Sequence, residues 1–346
     1  VYFFILIYIR IWFCVCYELL SVLTECDLAI KSIRTQQMNC KAFFVGGLFG
    51  FGACFLAGVE AFAQGQDVKG PLPASINTEA DEDHPHPVPL KGQAGSYRLY
   101  FSRSKDSKPE SKIDLYAATW SKARKGWADT ELVGPQVQSK GNDASCFVTP
   151  YGVYPQTIWF ASTKDPGNKK YDIFGAVRDL PPSSSGEHRV FSGVRALATI
   201  DTPGDEAHPW LGKDLKTLFL TKETKEGLRV AVATRKTSDG PRGFEEAVII
   251  EELDPGFCHA TVSPDGNVMY LQGPREGGGT ALFRSRRSGG KWGGPVALRS
   301  LNHPEGKWDG SPNLSRDGLI LYFSSDRPGG KGGRDIYSIQ TSAIKE

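Results

Sequence analysis

Three histidines stand in related settings along this 346-residue chain: His86 and His208 each precede a proline, and His259 opens the stretch "HATVSPDGNVMYLQG". Ser145 and Ser311 open stretches of the same plan, and acidic residues run just ahead of most of these positions: Asp83, Asp143, Asp205, Glu206 and Asp309. Neutral imidazole is a common ligand for divalent transition ions, and three rings facing one point leave a coordination position for water. His86, His208 and His259 are therefore candidate metal ligands, provided the fold brings them together. The competing expectation is that each ring bonds nearby backbone and only closes the structure. No other reactive signature competes: the sequence has no G-x-S-x-G, no phosphate-cradling G-x-x-x-x-G-K, no H-E-x-x-H and no C-x-x-C.

What would position these residues is a repeat. "SPNLSRDGLILYFSS" (311–325) and "HATVSPDGNVMYLQG" (259–273) share a plan of strand, turn ending Asp-Gly, and Tyr-containing apolar strand. "HPWLGKDLKTLFLTK" (208–222), "SCFVTPYGVYPQTIWFAST" (145–163) and "HPVPLKGQAGSYRLYFSRS" (86–104) are progressively weaker copies. A third alternating strand follows each: "IDLYAAT", "YDIFGAV", "LRVAVAT", "TALFRSR" and "RDIYSIQ". The anchors His86, Ser145, His208, His259 and Ser311 lie 59, 63, 51 and 52 residues apart, the length of one four-stranded sheet with its connections. The fourth strand falls in the junctions. "VKGPLPASINTEADEDHPHP" (68–87) matches the junction "WGGPVALRSLNHPEGKWDGSP" (292–312), so the domain begins on a fourth strand and ends after a third.

The expected fold is all-β: a five-bladed β-propeller of four-stranded antiparallel blades, closed by pairing Leu72–Ile76 with 335–340. A missed copy would make six blades. Asp265-Gly266 and Asp317-Gly318 are read as hairpin turns, and the aromatics Tyr100, Trp159, Phe160, Tyr322 and Phe323 as filling between blades. First strands line a propeller's axis, so the recurring starts would ring one mouth of the channel. The candidate ligand site is that mouth: His86, His208, His259, Ser145, Ser311, Asp205 and Asp309.

The last copy, with Asp317-Gly318, Leu321-Tyr322-Phe323, the loop Ser324–Gly330 and Asp335-Ile336-Tyr337, resembles the TolB-type, WD40-like propeller repeat of bacterial periplasmic proteins. "SPDG" at Ser263–Gly266 is a second match, and the similarity fades toward the first copy. The resemblance implies a propeller, export, and cell-envelope proteins or glycans as partners. It implies no reaction, since one scaffold hosts many functions.

Charge is nearly balanced, with 41 basic and 39 acidic side chains, which argues against a dedicated nucleic-acid binder. "MNCKAFFVGGLFGFGACFLAGVEAFAQ" has the layout of a signal peptide at 38–63, with cleavage after Ala63. A retained anchor, or a lipid on Cys54, is the alternative, and membrane contact is expected only through such a segment. Residues 1–37 read as an upstream segment from a mis-assigned start, leaving 64–346 as one propeller domain. Five of seven cysteines lie before residue 64; Cys146 and Cys258 are expected as buried small apolar residues. The protein is thus expected to be periplasmic or secreted and to act as a non-catalytic binding or scaffold module. No cofactor is expected, though a divalent transition ion is possible. The alternative is a metal-dependent glycan lyase or hydrolase using the histidine ring.

Overall fold

The computed structural model describes residues 70–345, apart from 91, 107, 109–110, 152, 154, 165–168, 179–189 and 237–242. The expected upstream segment (1–37) and signal peptide (38–63) lie outside the described residues. Among those described, no helix is long and apolar enough to cross a membrane.

Hairpin chemistry builds each blade. Gly266 and Gly318 adopt φ of +75° and +79°, which a residue without Cβ reaches at no steric cost. Asp265 and Asp317 each turn an Oδ1 back to accept an N–H two residues on, from Asn267 (3.1 Å) and Leu319 (3.0 Å). The flanking residues alternate apolar and polar and pair as antiparallel strands.

Five sheets result. The first blade holds β1 (Glu82–Pro89), β2 (Tyr97–Ser104), β3 (Ile113–Ser121), β4 (Gly126–Trp127) and β5 (Glu131–Leu132). The second holds β6 (Asp143–Val148), β7 (Gln156–Ser162), β8 (Asp172–Arg178) and β9 (Ser192–Ala196). The third runs β10 (Glu206–Leu211), β11 (Thr217–Thr224), β12 (Gly227–Thr234) and β13 (Val248–Ile249). The fourth is β14 (Cys258–Val262), β15 (Val268–Pro274), β16 (Thr280–Ser288), β17 (Lys291–Trp292) and β18 (Val296–Ala297). The last has only β19 (Asp309–Leu314), β20 (Ile320–Ser325) and β21 (Asp335–Gln340) from its own stretch of sequence. Its fourth member comes from the opposite end: Pro71 bridges Tyr337, and the Leu72 N–H donates to the Ile336 carbonyl at 2.9 Å. The molecule is a five-bladed β-propeller closed as the repeat implied.

The core lies between blades rather than within them. Tyr100, Leu115 and Val88 meet Cys146, Ile158 and Phe160 across the first interface. Leu72, Ile76 and Ile336 meet Leu99 and Phe101 across the closing one. Each such aromatic or aliphatic side chain contributes about 1.5–3 kcal/mol by leaving water. Cys146 and Cys258 are buried and unpaired, packed as small apolar groups.

One irregularity recurs in all five first strands. Each carries a β-bulge, and each bulge holds a non-glycine residue at positive φ: His84 (53°), Ser145 (39°), His208 (55°), His259 (53°) and Ser311 (48°). That backbone costs about 1 kcal/mol or more per residue and persists only where its surroundings fix it. Side chains of the preceding blade do so: the N–H groups of Ser145, His259 and Ser311 donate to Ser102 Oγ, Thr221 Oγ1 and Gln272 Oε1 at 2.9–3.0 Å. The bulges turn five side chains toward the axis.

Candidate functional site

The bulges decide which histidine belongs to the ring. In the first blade it is His84, not His86. His86 lies two residues further along β1, its Nε2 on the Val148 carbonyl (3.1 Å) and its Nδ1 3.3 Å from the Asn313 side-chain amide. The sequence misled because "DHPHP" offers two His-Pro dipeptides, and a slip of two residues keeps the same face of a strand. Only the positive φ separates them.

His84, His208 and His259 meet on the axis. One ligand atom of each lies within 4.8 Å of the others. Nε2 of His84 and Nε2 of His208 are 2.6 Å apart, and the rings of His208 and His259 have centroids 3.1 Å apart. Burial lowers all three from the ordinary 6.5, and mutual repulsion lowers His208 further, so the rings are neutral near pH 7. On one side the cluster floors a cavity of about 190 Å3 whose walls include Asp83, Ser145, Arg334, Tyr171 and Trp308. On the other lies only a cleft of about 20 Å3, which Ser311 lines.

Repetition sorts the acidic residues. Two positions before each bulge residue stand Glu82, Asp143, Glu206, Phe257 and Asp309, and the four carboxylates are fully buried in like roles. Glu82 and Glu206 accept the N–H of Thr78 and Thr202, Asp143 that of Ser139, and Asp309 that of His303. Asp309 is further held by Ser325, Arg275 and Arg327. These acids hold loops in place. Asp205 points elsewhere, accepting from Tyr171 N–H at 2.7 Å and from Lys170 at 3.3 Å. Neither Asp205 nor Asp309 lines the cavity.

One position before each bulge residue the series is Asp83, Ala144, Ala207, Cys258 and Gly310. At the start of the third strand of each blade, one position before its first aligned Asp, Arg or Ala, it is Ile113, Tyr171, Leu228, Thr280 and Arg334, of which Ile113, Tyr171 and Arg334 line the cavity. Each series has one charged member, and the two meet: Arg334 Nη1 lies 2.9 Å from Asp83 Oδ2, and Nη2 lies 3.2 Å from Asp81 Oδ2. Burial would raise the Asp83 carboxyl, but a proton on His84 at low pH, the Arg334 charge and hydrogen bonds from Ser311 and Ser324 outweigh it and hold the group well below the usual carboxylate range. Arg334 also sits 5.0 Å from the Trp308 ring, guanidinium over the π face. Arg334, Asp81 and Trp308 had no sequence signal of their own; aligning all five copies on the bulge would have shown Asp83 and Arg334 as the odd members.

No protein-family model matches the sequence, and no curated protein matches it. Solved structures do match. The α-L-arabinofuranosidase PaAbf62A of Podospora anserina, in complex with cellotriose, superposes with TM-score 0.53 at 12% identity, over 78% of this chain and 94% of that one. The catalytic domain of a GH62 α-L-arabinofuranosidase of Coprinopsis cinerea gives 0.54 at 15% identity, over 80% and 97%. A thermostable family-43 glycoside hydrolase gives 0.53 at 10%, over 79% and 92%. At such identities the likeness is one of fold.

Two expectations are corrected by these matches. The resemblance to TolB-type repeats was carried by the turn, second-strand, loop and third-strand residues of the last copy and by "SPDG"; the matching structures named above are glycoside hydrolases instead. The reading of a non-catalytic scaffold module rested on that resemblance and falls with it, because these neighbours are described as carbohydrate-cleaving enzymes.

Proposed function

We propose that this protein is a glycan-cleaving enzyme that works at the axial mouth. The observation that carries the reading is the break in fivefold repetition: Asp83 and Arg334 are charged where the scaffold asks for nothing charged, and both face the cavity. A buried carboxylate held ionised is suited to stabilise positive charge developing on a sugar ring. Arg334 fixes its orientation. Tyr171 and Trp308 on the same walls offer flat apolar faces of the kind on which pyranose and furanose rings pack. Neighbours of this fold are described in complex with cellotriose and with xylotriose, which supports a glycan in this cavity. The apolar segment ending Ala61-Phe62-Ala63 supports export, where such polymers are met.

The test is cleavage of arabinosylated xylo-oligosaccharides, cello-oligosaccharides and pectic fragments, read by reducing-end release and product chromatography. Wild-type protein is expected to cleave at least one class, and Asp83→Asn to lose at least about 100-fold in kcat/KM while remaining folded, with a lower unfolding temperature because Arg334 loses its buried partner. Unsaturated products would assign a lyase rather than a hydrolase. No cleavage across the panel, or full activity in folded Asp83→Asn, would overturn the proposal.

A further inference from the structure

We propose that His84, His208 and His259 form a site for one divalent transition ion of the zinc class, on the floor of the axial cavity. The ion site stands on the imidazoles alone; only its use in catalysis rests on the glycan reading above.

Three features of the cluster carry the inference. First, the rings converge with the nitrogens an ion needs. Zinc–nitrogen bonds of about 2.0–2.1 Å hold tetrahedral ligand atoms about 3.3 Å apart. The three nitrogens here fall within 4.8 Å, with the Nε2 pair of His84 and His208 at 2.6 Å. Small outward shifts of those two rings make ion-sized room.

Second, the cluster is poorly satisfied without a ligand. Nε2 of His84 and Nε2 of His208 have only each other within hydrogen-bond distance, and the Nδ1 atoms of both rings are buried with no partner, so either nitrogen of each ring is open to an ion. Unpaired buried polar atoms cost about 1–3 kcal/mol each, so scaffold needs alone would not select them. His259 differs usefully: its Nδ1 lies 3.3 Å from Ser311 Oγ, which fixes the ring and leaves Nε2 toward the axis. Ser311, expected from sequence as part of the ligand site, thus positions a ligand-bearing ring.

Third, the donor set selects the metal. Three neutral imidazoles favour zinc, copper, nickel or iron over calcium or magnesium, which take oxygen. Cys258, next to His259, is buried and is not among the ligand atoms that converge with the three rings. The ring of nitrogens has the wider cavity on one side only, so the open coordination position faces Asp83 and the glycan cavity. An ion with three protein ligands and an open fourth position supplies a Lewis acid or an acidic bound water.

The strained backbone is what makes such convergence available. All five bulges place a side chain on the axis, yet only three carry imidazole, and those three touch. Serine at the other two positions is small enough to leave the rings room.

The experiment uses full-length protein carrying no histidine tag, stripped with chelator and titrated with zinc chloride by calorimetry and elemental analysis. About one equivalent is expected to bind and to raise the unfolding temperature, since an ion that binds only the folded state stabilises it. His259→Gln and the double variant His208→Ala/His259→Ala are expected to weaken binding by about 100-fold or more. His86→Ala is the control that keeps the site. No zinc bound by folded wild-type protein, or unchanged binding in folded His259→Gln, overturns the proposal. Glycan cleavage by metal-free protein would leave the glycan reading standing and remove the ion's catalytic role. Tight zinc without cleavage would do the reverse.

Discussion

His84 and His86 show how two like residues on one strand divide their work. His86 is buried, is hydrogen-bonded to the second and last blades, and lies 4.5 Å from the Phe147 ring. Those contacts are scaffold. His86→Ala removes a ring and leaves the Val148 carbonyl unpaired, so it should cost about 2–4 kcal/mol of stability while zinc stoichiometry stays unchanged. His84→Ala should do the opposite: little change in urea midpoint, and zinc binding lost. Urea denaturation and zinc titration on the two variants check both halves, and matched losses in stability and zinc for the pair would refute the division. The sequence could not assign these roles, because duplicated His-Pro and the period of two make both residues fit the strand face. What separates them is a backbone dihedral set by long-range packing.

At the scale of the element, the turn that follows a fourth strand carries a clamp that in one blade is a titrating group. Asn77, Gln138 and Asn302 each clamp one residue of a third strand, accepting its N–H and donating to its carbonyl: Ile336, Leu115 and Leu282. In the second blade the clamp is Asp201, which accepts the Ile173 N–H at 3.3 Å. A carboxylate has no proton to give the Ile173 carbonyl; a neutral carboxyl does. Burial first, then the charges of Asp172 and Glu206 nearby, push the Asp201 carboxyl from 3.8 up to about 7. Glu206 is itself raised by burial, which its bonds to Thr202 and the charge of Lys222 oppose. The sign follows from linkage: the folded state holds this proton more tightly than the unfolded polypeptide. Its stabilisation is therefore full below about pH 4 and is lost as pH rises through about 7. Asp201→Asn restores the amide and should remove that loss, gaining about 1–2 kcal/mol at pH 8 once partial exposure is allowed for, and much less at pH 5. Urea midpoints at the two pH values test it; an equal effect at both would mean that Asp201 is already ionised throughout. A repeat alignment displays the substitution, but only the third-strand carbonyl opposite explains why a carboxyl there must carry a proton.

At the scale of the whole molecule, ring closure and the candidate site are one construction. The blade count and the closing partners were legible in the sequence, because anchor spacing reports blade length and the unmatched fourth strand at one end answers the missing one at the other. The site was legible only as a location, since its chemistry arises where the two ends meet. Asp81 and Asp83 belong to the first blade and Arg334 to the last, joined across the seam with the Glu82 N–H on the Arg334 carbonyl at 2.8 Å. Asn77 is the seam's clamp, fully buried, bonded three ways to Leu72 and Ile336 and spanning 259 residues of sequence. Asn302 makes the same clamp across only 20 residues. Truncation removes three side-chain hydrogen bonds at Asn77 and two at Asn302. Asn77→Ala should therefore cost about 2–4 kcal/mol, and because holding the seam closed already opposes about 2 kcal/mol more loop-closure entropy than the short clamp does, it should lower hydrogen-exchange protection along β21 before any other strand opens. Asn302→Ala should cost less and act only on β16. Because Arg334 precedes β21, the seam variant should also weaken glycan cleavage, and the Asn302 variant should not. If Asn77→Ala unfolds at the same urea concentration as Asn302→Ala and spares β21, the ring is held by its blade interfaces alone, and the charged pair at the seam is independent of closure.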